Sequence, residues 1–344
     1  MGKNKKDKYK KMLHFQLINT IIKTNKKELQ PNKINNTGKI LKDDTTIELE
    51  NFIDNKYNLQ TSKVLILALE KLTEKMPCKA KIEEIEKNRV IEITLDEYME
   101  RCNITSRTQA RKQLNEAIKT LTYDLKLSWY DEKQKFFYNR CSIFKEVINM
   151  NSPIVNSRAV IQFDYDFSKG LSYGYIMPVN EKILSLDIRR YPSALPLAIK
   201  ILQHKSMNKG KMNEDIISTK TLLKATSEIP KYESLTSKSG LSRKIITPLI
   251  NALEELVDSQ IIDEYFFTER LGKQIDIKAL ERLNYNNFID WTVHFKISDF
   301  PNYKRSRKKS RIKNKKEEGE KKQSIQQKKH LTKSIIKHSF KGSR

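Results

Sequence analysis

SRTQARKQLNEAIKTLTYDLKLSW (Ser106–Trp129) and SRKIITPLINALEELVDSQIIDEY (Ser242–Tyr265) lie 136 residues apart and share a plan. Counted from each serine, apolar residues fall at the same six offsets. They are Ala110, Leu114, Ala117, Leu121, Leu125 and Trp129 in the first stretch, and Ile246, Ile250, Leu253, Val257, Ile261 and Tyr265 in the second. The first four offsets keep a helical period and the last two run into β-prone residues. A Ser/Arg-led amphipathic helix passing into a strand is the second half of a winged helix. Meeting it twice predicts a tandem DNA reader.

Working outward, the elements before and after each stretch fall in winged-helix order. Val64–Leu72 predicts a helix closed by Pro77, and Arg89–Thr94 a short β-branched strand. Thr94 with Glu97 forms a capping box for a second helix, followed by a turn at Asn103–Thr105. After the Ser106 helix come strands at Leu125–Trp129 and Phe136–Phe144. In the second half, Ser193 opens a helix through Leu202, with Pro196 in its first turn. Ile216-Ile217 is a brief strand, Thr219–Thr226 a helix, and Gln260–Phe267 with Phe288–Ile297 a hairpin interrupted by a Lys/Leu/Glu-rich insert. Pro248 predicts either a helix that starts there behind a Thr247 cap or a helix that begins earlier and bends, and the second is favoured.

The expected architecture is therefore α+β and mostly helical, with two tandem winged-helix domains and disordered basic tails at both ends. The boundaries are a basic, partly disordered arm over 1–58, domain 1 over 59–150, a linker with short strands and a helix over 151–190, domain 2 over 191–303, and a disordered basic tail over 304–344.

Of the net charge of +25, nearly all sits at the ends. Residues 1–33 hold ten Lys against two acids, and residues 304–344 hold seventeen Lys/Arg against three Glu, so residues 34–303 carry only +3. Basic arms of this density raise affinity for any polyanion through phosphate contacts and counterion release, and read no sequence. No run of 18 apolar residues exists to span a bilayer. Three widely spaced cysteines, Cys78, Cys102 and Cys141, suit a reducing cytoplasm.

Sequence readout requires the helices. On the Ser106 helix, Thr108, Arg111, Lys112, Asn115 and Lys119 share the face opposite the apolar one, with Ser106, Arg107 and Gln109 at its start. Arg and Lys match guanine O6 and N7, Asn and Gln match adenine, and hydroxyls suit phosphate. In the second half Lys238, Ser239, Ser242, Arg243 and Lys244 gather at the helix start, before Glu254, Glu255 and Asp258 turn the helix acidic. Wing-turn Lys133 and Lys135 are further candidates for backbone contact.

The remaining residues carry no recognisable catalytic signature. The five histidines include no pair two apart, no GxxxxGK[ST] loop occurs, and the Cys and His spacing fits no zinc site. Asp164 and Asp166 form a D-x-D pair on the polar face of a candidate strand, the one arrangement that a metal-dependent primase or nickase could use. His204 is expected to be structural. No catalytic residue, cofactor or metal site is assigned.

The layout resembles that of the iteron-binding plasmid replication initiators, which are tandem winged-helix proteins. The resemblance rests on Ala159–Phe163, Pro178–Leu184 and YPSALPLAIKIL (Tyr191–Leu202), and spans roughly residues 60–300. It implies a cytoplasmic, non-catalytic protein that binds repeated origin sequences in double-stranded DNA and recruits a host replication initiator or helicase. It also implies a homodimer, for which the surface around Val64–Leu72 is the candidate interface. A winged-helix transcriptional repressor is the alternative. Removal of residues 304–344 is expected to weaken binding to cognate and random duplex about equally and to flatten the salt dependence, as read by titrations over a salt series.

Overall fold

The computed structural model describes residues 11–14, 30–32, 37–42, 45–49, 58–76, 80–131, 136–147, 157–172, 176–226, 228–235, 240–269, 272–275 and 285–301. Met1–Phe300 form one unit and Pro301–Arg344 another, so the expected tail lies outside the described residues. The N-terminal arm, by contrast, supplies β1 (Lys11–His14), β2 (Gln30–Asn32), β3 (Thr37–Lys42) and β4 (Thr45–Leu49). Ile40-Leu41 and Thr45-Thr46-Ile47 have strand propensity that the surrounding Lys and Asn concealed.

α1 (Leu59–Lys75) begins at Asn58, whose Oδ1 accepts hydrogen bonds from the Gln60 and Thr61 amides at 2.9 and 3.1 Å. All residues from Thr61 to Glu70 are buried. The Val64–Leu72 run is thus enclosed by the chain itself and offers no dimer surface, which corrects the expectation. A helix apolar on every side belongs inside a core.

The first module continues with α2 (Ile82–Asn88), β5 (Val90–Thr94), α3 (Leu95–Cys102), α4 (Arg107–Lys119), a π turn (Thr120–Asp124), β6 (Leu125–Asp131) and β7 (Phe136–Ser142). Apart from α2, which falls in a charged stretch with no expected element, the order is the expected one and β6 pairs with β7 as a hairpin; the partners beyond that hairpin are not the expected ones. The β6–β7 hairpin joins the arm in a sheet ordered β2-β3-β4-β6-β7, because β4 pairs along β6 from Thr45–Trp129 to Leu49–Leu125. Directly after it come β8 (Phe144–Val147) and then β9 (Arg158–Phe163), the centre of a separate sheet ordered β5-β9-β8. β9 falls in the stretch expected to be linker. It belongs here because Ala159 and Ile161 lie opposite Ile93 and Ile91, and all four are buried. Phe163 meets Phe144 edge-on, with ring centroids 5.0 Å apart.

α5 (Tyr165–Ser172) and β10 (Ile176–Val179) follow, and β10 runs antiparallel to β1. The second module contains α6 (Ala194–Asn208), β11 (Ile216–Ser218), α7 (Thr219–Leu223), a π turn (Ser242–Ile246), α8 (Thr247–Asp258), β12 (Glu264–Thr268), β13 (Gln274–Ile275), α9 (Tyr285–Ile289) and β14 (Thr292–Lys296). Its sheet is ordered β11-β14-β12-β13, so the early strand pairs with the returning one. Within the insert after Thr268, β13 pairs with β12.

Between the modules, residues 176–190 act as a packed joint with a 3₁₀ turn at Glu181–Ser185. Asn180 is fully buried; its Oδ1 accepts from the Lys182 amide and its Nδ2 donates to the Gln260 carbonyl, both at 3.0 Å. The Asp187 amide donates to Glu255 of α8 at 3.0 Å. From α1, Lys63 Nζ donates to the Leu186 carbonyl at 2.7 Å. Nearby, Arg101 of α3 pairs with buried Glu70 at 2.8 Å. One continuous apolar core runs through both modules.

Burial lowers the pKa of Lys63, against the raising influence of Cys102, Asp187 and Glu255. The folded protein therefore holds this proton less tightly than the unfolded chain does. The Lys63 contribution to stability accordingly rises with pH up to the ordinary lysine value of 10.5. Lys63→Met is expected to remove that contribution, so that between about pH 8 and 10 its denaturation midpoint gains less, or loses more, than that of the wild type.

Candidate nucleic-acid interface

Thr94 Oγ1 caps α3 by accepting from the Glu97 amide at 3.2 Å. The helix stops at Asn103, which takes the left-handed conformation (φ 53°) that Asn tolerates better than most side chains. A tight turn then delivers Ser106, whose Oγ accepts from the Gln109 amide at 3.3 Å and starts α4. The inner face of α4 is fixed by buried Ala110, Leu114, Ala117 and Ile118. This leaves Thr108, Arg111, Lys112 and Lys119 exposed on the outer face, with Asn115 and Gln109 half-buried.

Exposed Arg111, Lys112 and Lys119 have no ion-pair partner among the described residues. Arg107 does. Its Nη1 lies 2.5 Å from Asp96 Oδ1, and its Nη2 donates to Ser157 Oγ at 2.8 Å. Arg107 therefore ties the start of α4 to α3 and to the turn before β9. Neither Asp96 nor Ser157 was signalled by the sequence, because only the pairing of β5 with β9 brings residue 157 here. Exposed Arg158, next in the chain, adds a cation 3.7 Å from Glu92. The side-chain oxygens of Gln113 and Asn115 are shut from solvent with no hydrogen-bond partner among the described residues.

The second module is built to the same burial plan, but one residue out of the sequence register. Set 135 residues apart, the core positions coincide: Ala110, Leu114, Ala117, Ile118 and Leu121 correspond to Ile245, Leu249, Ala252, Leu253 and Leu256, all buried. Ile250 and Val257, expected inside, are only half-buried. Ser106 is thus the counterpart of Leu241, and the two Ser-Arg pairs occupy different places. Ser242 lies within the π turn and caps nothing. At the positions of Thr108, Arg111, Lys112, Asn115 and Lys119 stand Arg243, Ile246, Thr247, Ile250 and Glu254. Arg243 and Lys244 are exposed, with no ion-pair partner among the described residues. Lys238 and Ser239 lie outside the described residues, as do Lys133 and Lys135 of the first hairpin's turn.

Asp164 is occupied by a structural task. It sits not on a strand face but at the start of α5, where Oδ1 accepts from the Asp166 and Phe167 amides at 2.9 and 3.2 Å. Among the described residues, no group of three or more His, Cys, Asp or Glu is placed to hold a metal ion. His204 donates through Nε2 to the Asn213 carbonyl at 2.9 Å in one tautomer, and packs edge-on against Phe295. Cys102 is buried, which pushes its thiol up to about 11. Among the described residues, no helix is long and apolar enough to cross a membrane.

Neither a family model nor a curated protein matches the chain. Among solved structures, the crystal structure of domains 2 and 3 of RctB is similar at 13% identity and a TM-score of 0.45, over 83% of this chain and 98% of that one.

Because Asp96 both pairs with Arg107 and adds an acid beside the α4 start, Asp96→Asn is expected to tighten binding to duplex DNA about two- to fivefold at low salt. Electrophoretic mobility shifts at two salt concentrations check this, and the gain should shrink at the higher one.

Proposed function

We propose that the chain is a non-catalytic, sequence-specific binder of double-stranded DNA, built from two winged-helix modules, that acts as a plasmid replication initiator at repeated origin sites. One observation carries this reading. A capped helix-turn-helix, anchored on its inner face, presents Arg111, Lys112 and Lys119 outward with no acidic partner among the described residues. A helix with this face fits a major groove, where Arg and Lys meet guanine and an adjacent hairpin lies over the flanking backbone. The packed joint supports a bipartite target, since Asn180, Asp187 and Lys63 hold the modules in one continuous core. The use of Asp164 as a helix cap supports a role without chemistry.

Recruitment of a host replication initiator or helicase, homodimerisation and a cytoplasmic location complete the proposal; these rest on the resemblance to iteron-binding initiators. DNA recovered with the protein and sequenced provides the test. Clustered short direct repeats beside AT-rich DNA are the expected result, whereas isolated promoter operators would make the protein a transcriptional repressor. On the recovered repeat, Arg111→Ala is expected to cost about 1–3 kcal/mol of binding and far less on random duplex. Equal loss on both would count against readout by α4.

A further inference from the structure

Pro248 stands inside what would otherwise be one unbroken helix from Leu241 to Asp258. Proline has no amide to donate, and in an α-helix its ring collides with the carbonyl four residues back, here that of Lys244. The chain resolves this with the π turn at Ser242–Ile246, in which the Thr247 amide donates to the Ser242 carbonyl five residues back. A wider turn rotates each residue less, and that changes where the side chains upstream of it point.

An α-helix advances about 100° per residue. Counted back from Leu249 at the middle of the core face, unbroken α geometry would set Arg243 about 120° away from the core direction and Leu241 about 80° away. A π turn advances roughly 15° less per residue, which moves Arg243 to about 165° and Leu241 to nearly 0°. The exposures agree with the second geometry. Leu241 is buried at 6%, Ser242 is half-buried, and Arg243 is exposed.

We infer that Pro248 is a positioning residue: by forcing the π turn, it turns Arg243 directly outward from the second module to take a duplex phosphate. This rests on the reading of the chain as a DNA binder and deepens it for one module. Phosphate is the ligand class because the rest of this face does not suit base reading. Ile246 is buried, Ile250 is half-buried, and Glu254 repels the polyanion where α4 carries Lys119. A cation facing away from the core, with no ion-pair partner among the described residues, is what a backbone contact requires.

The test uses the full chain and a fluorescent duplex of random sequence, with anisotropy titrations over a salt series, read well below the thermal midpoint. Arg243→Ala should weaken binding about three- to tenfold and lower the slope of log K against log salt by about one. Pro248→Ala should do the same, and the double variant should be no worse than either single one, since both lose the same contact. Pro248→Ala should stay folded at the titration temperature, because the restored amide and the higher helix propensity of alanine offset part of the burial that Leu241 loses; a thermal melt of each variant checks this. A Pro248→Ala slope equal to wild type, beside a lowered Arg243→Ala slope, would overturn the inference alone. Additive losses in the double variant would overturn it too. An unchanged Arg243→Ala slope would remove both the inference and the second tip from the DNA reading, while leaving the α4 test on the repeat independent.

Discussion

Ten consecutive residues of α1, Thr61 to Glu70, are shut away from solvent, so that helix has to be wrapped from every side. Burying Val64, Leu65, Ile66, Leu67, Leu69 and Leu72 contributes roughly 2 kcal/mol apiece at most. The same burial strips water from Lys63 and Glu70, which costs several kcal/mol per ion unless each finds a partner. The aliphatic side of that balance prevails only because partners are supplied. The Leu186 carbonyl faces the lysine, and Arg101 faces the glutamate. Both partners come from segments that must then pack against α1, which is how a buried helix dictates the position of the joint.

That joint ties the two modules together. Asn180 and Lys182 hold Gln260 just past the end of α8, and Glu255 near that end receives the Asp187 amide. With an apolar core continuous through the whole unit, the two modules form one body. Under the proposed reading, a DNA target spanning both modules would meet a fixed arrangement instead of two readers on a leash. The modules themselves are not equal. α4 carries cations along its outer face, whereas α8 replaces them with Ile246, Thr247, Ile250 and Glu254 and keeps basic charge only near its start. The shared burial plan carries two different surface chemistries.

Much of this was legible in the chain. The order of elements in both halves followed from period, capping residues and turn formers, because those are local properties. Ser106, Thr94 and Pro196 each occupy the place their chemistry favours. The outer face of α4 was equally readable, since a fixed inner stripe leaves only one set of residues to face outward. Register failed by one residue: buried Leu249, Ala252, Leu253 and Leu256 set the repeat interval in space at 135, not 136. Half-buried Ile250 and Val257 are as apolar as the residues beside them, so composition alone does not show which stripe faces the core.

By itself, the sequence determined most helices and strands of the two modules, though not the arm strands, α2 or α5, and which residues of α4 face outward, because hydrogen-bonding period and amphipathicity act over a few residues. Only the tertiary structure decided that β9 belongs to β5, that the arm strands pair with β6 and β10, that α1 is interior, and that Arg107 is held by Asp96 and Ser157. Strand partners and ion pairs are choices among many chemically similar candidates distant in the chain. Competition for one shared core makes those choices, and no short stretch of residues contains it.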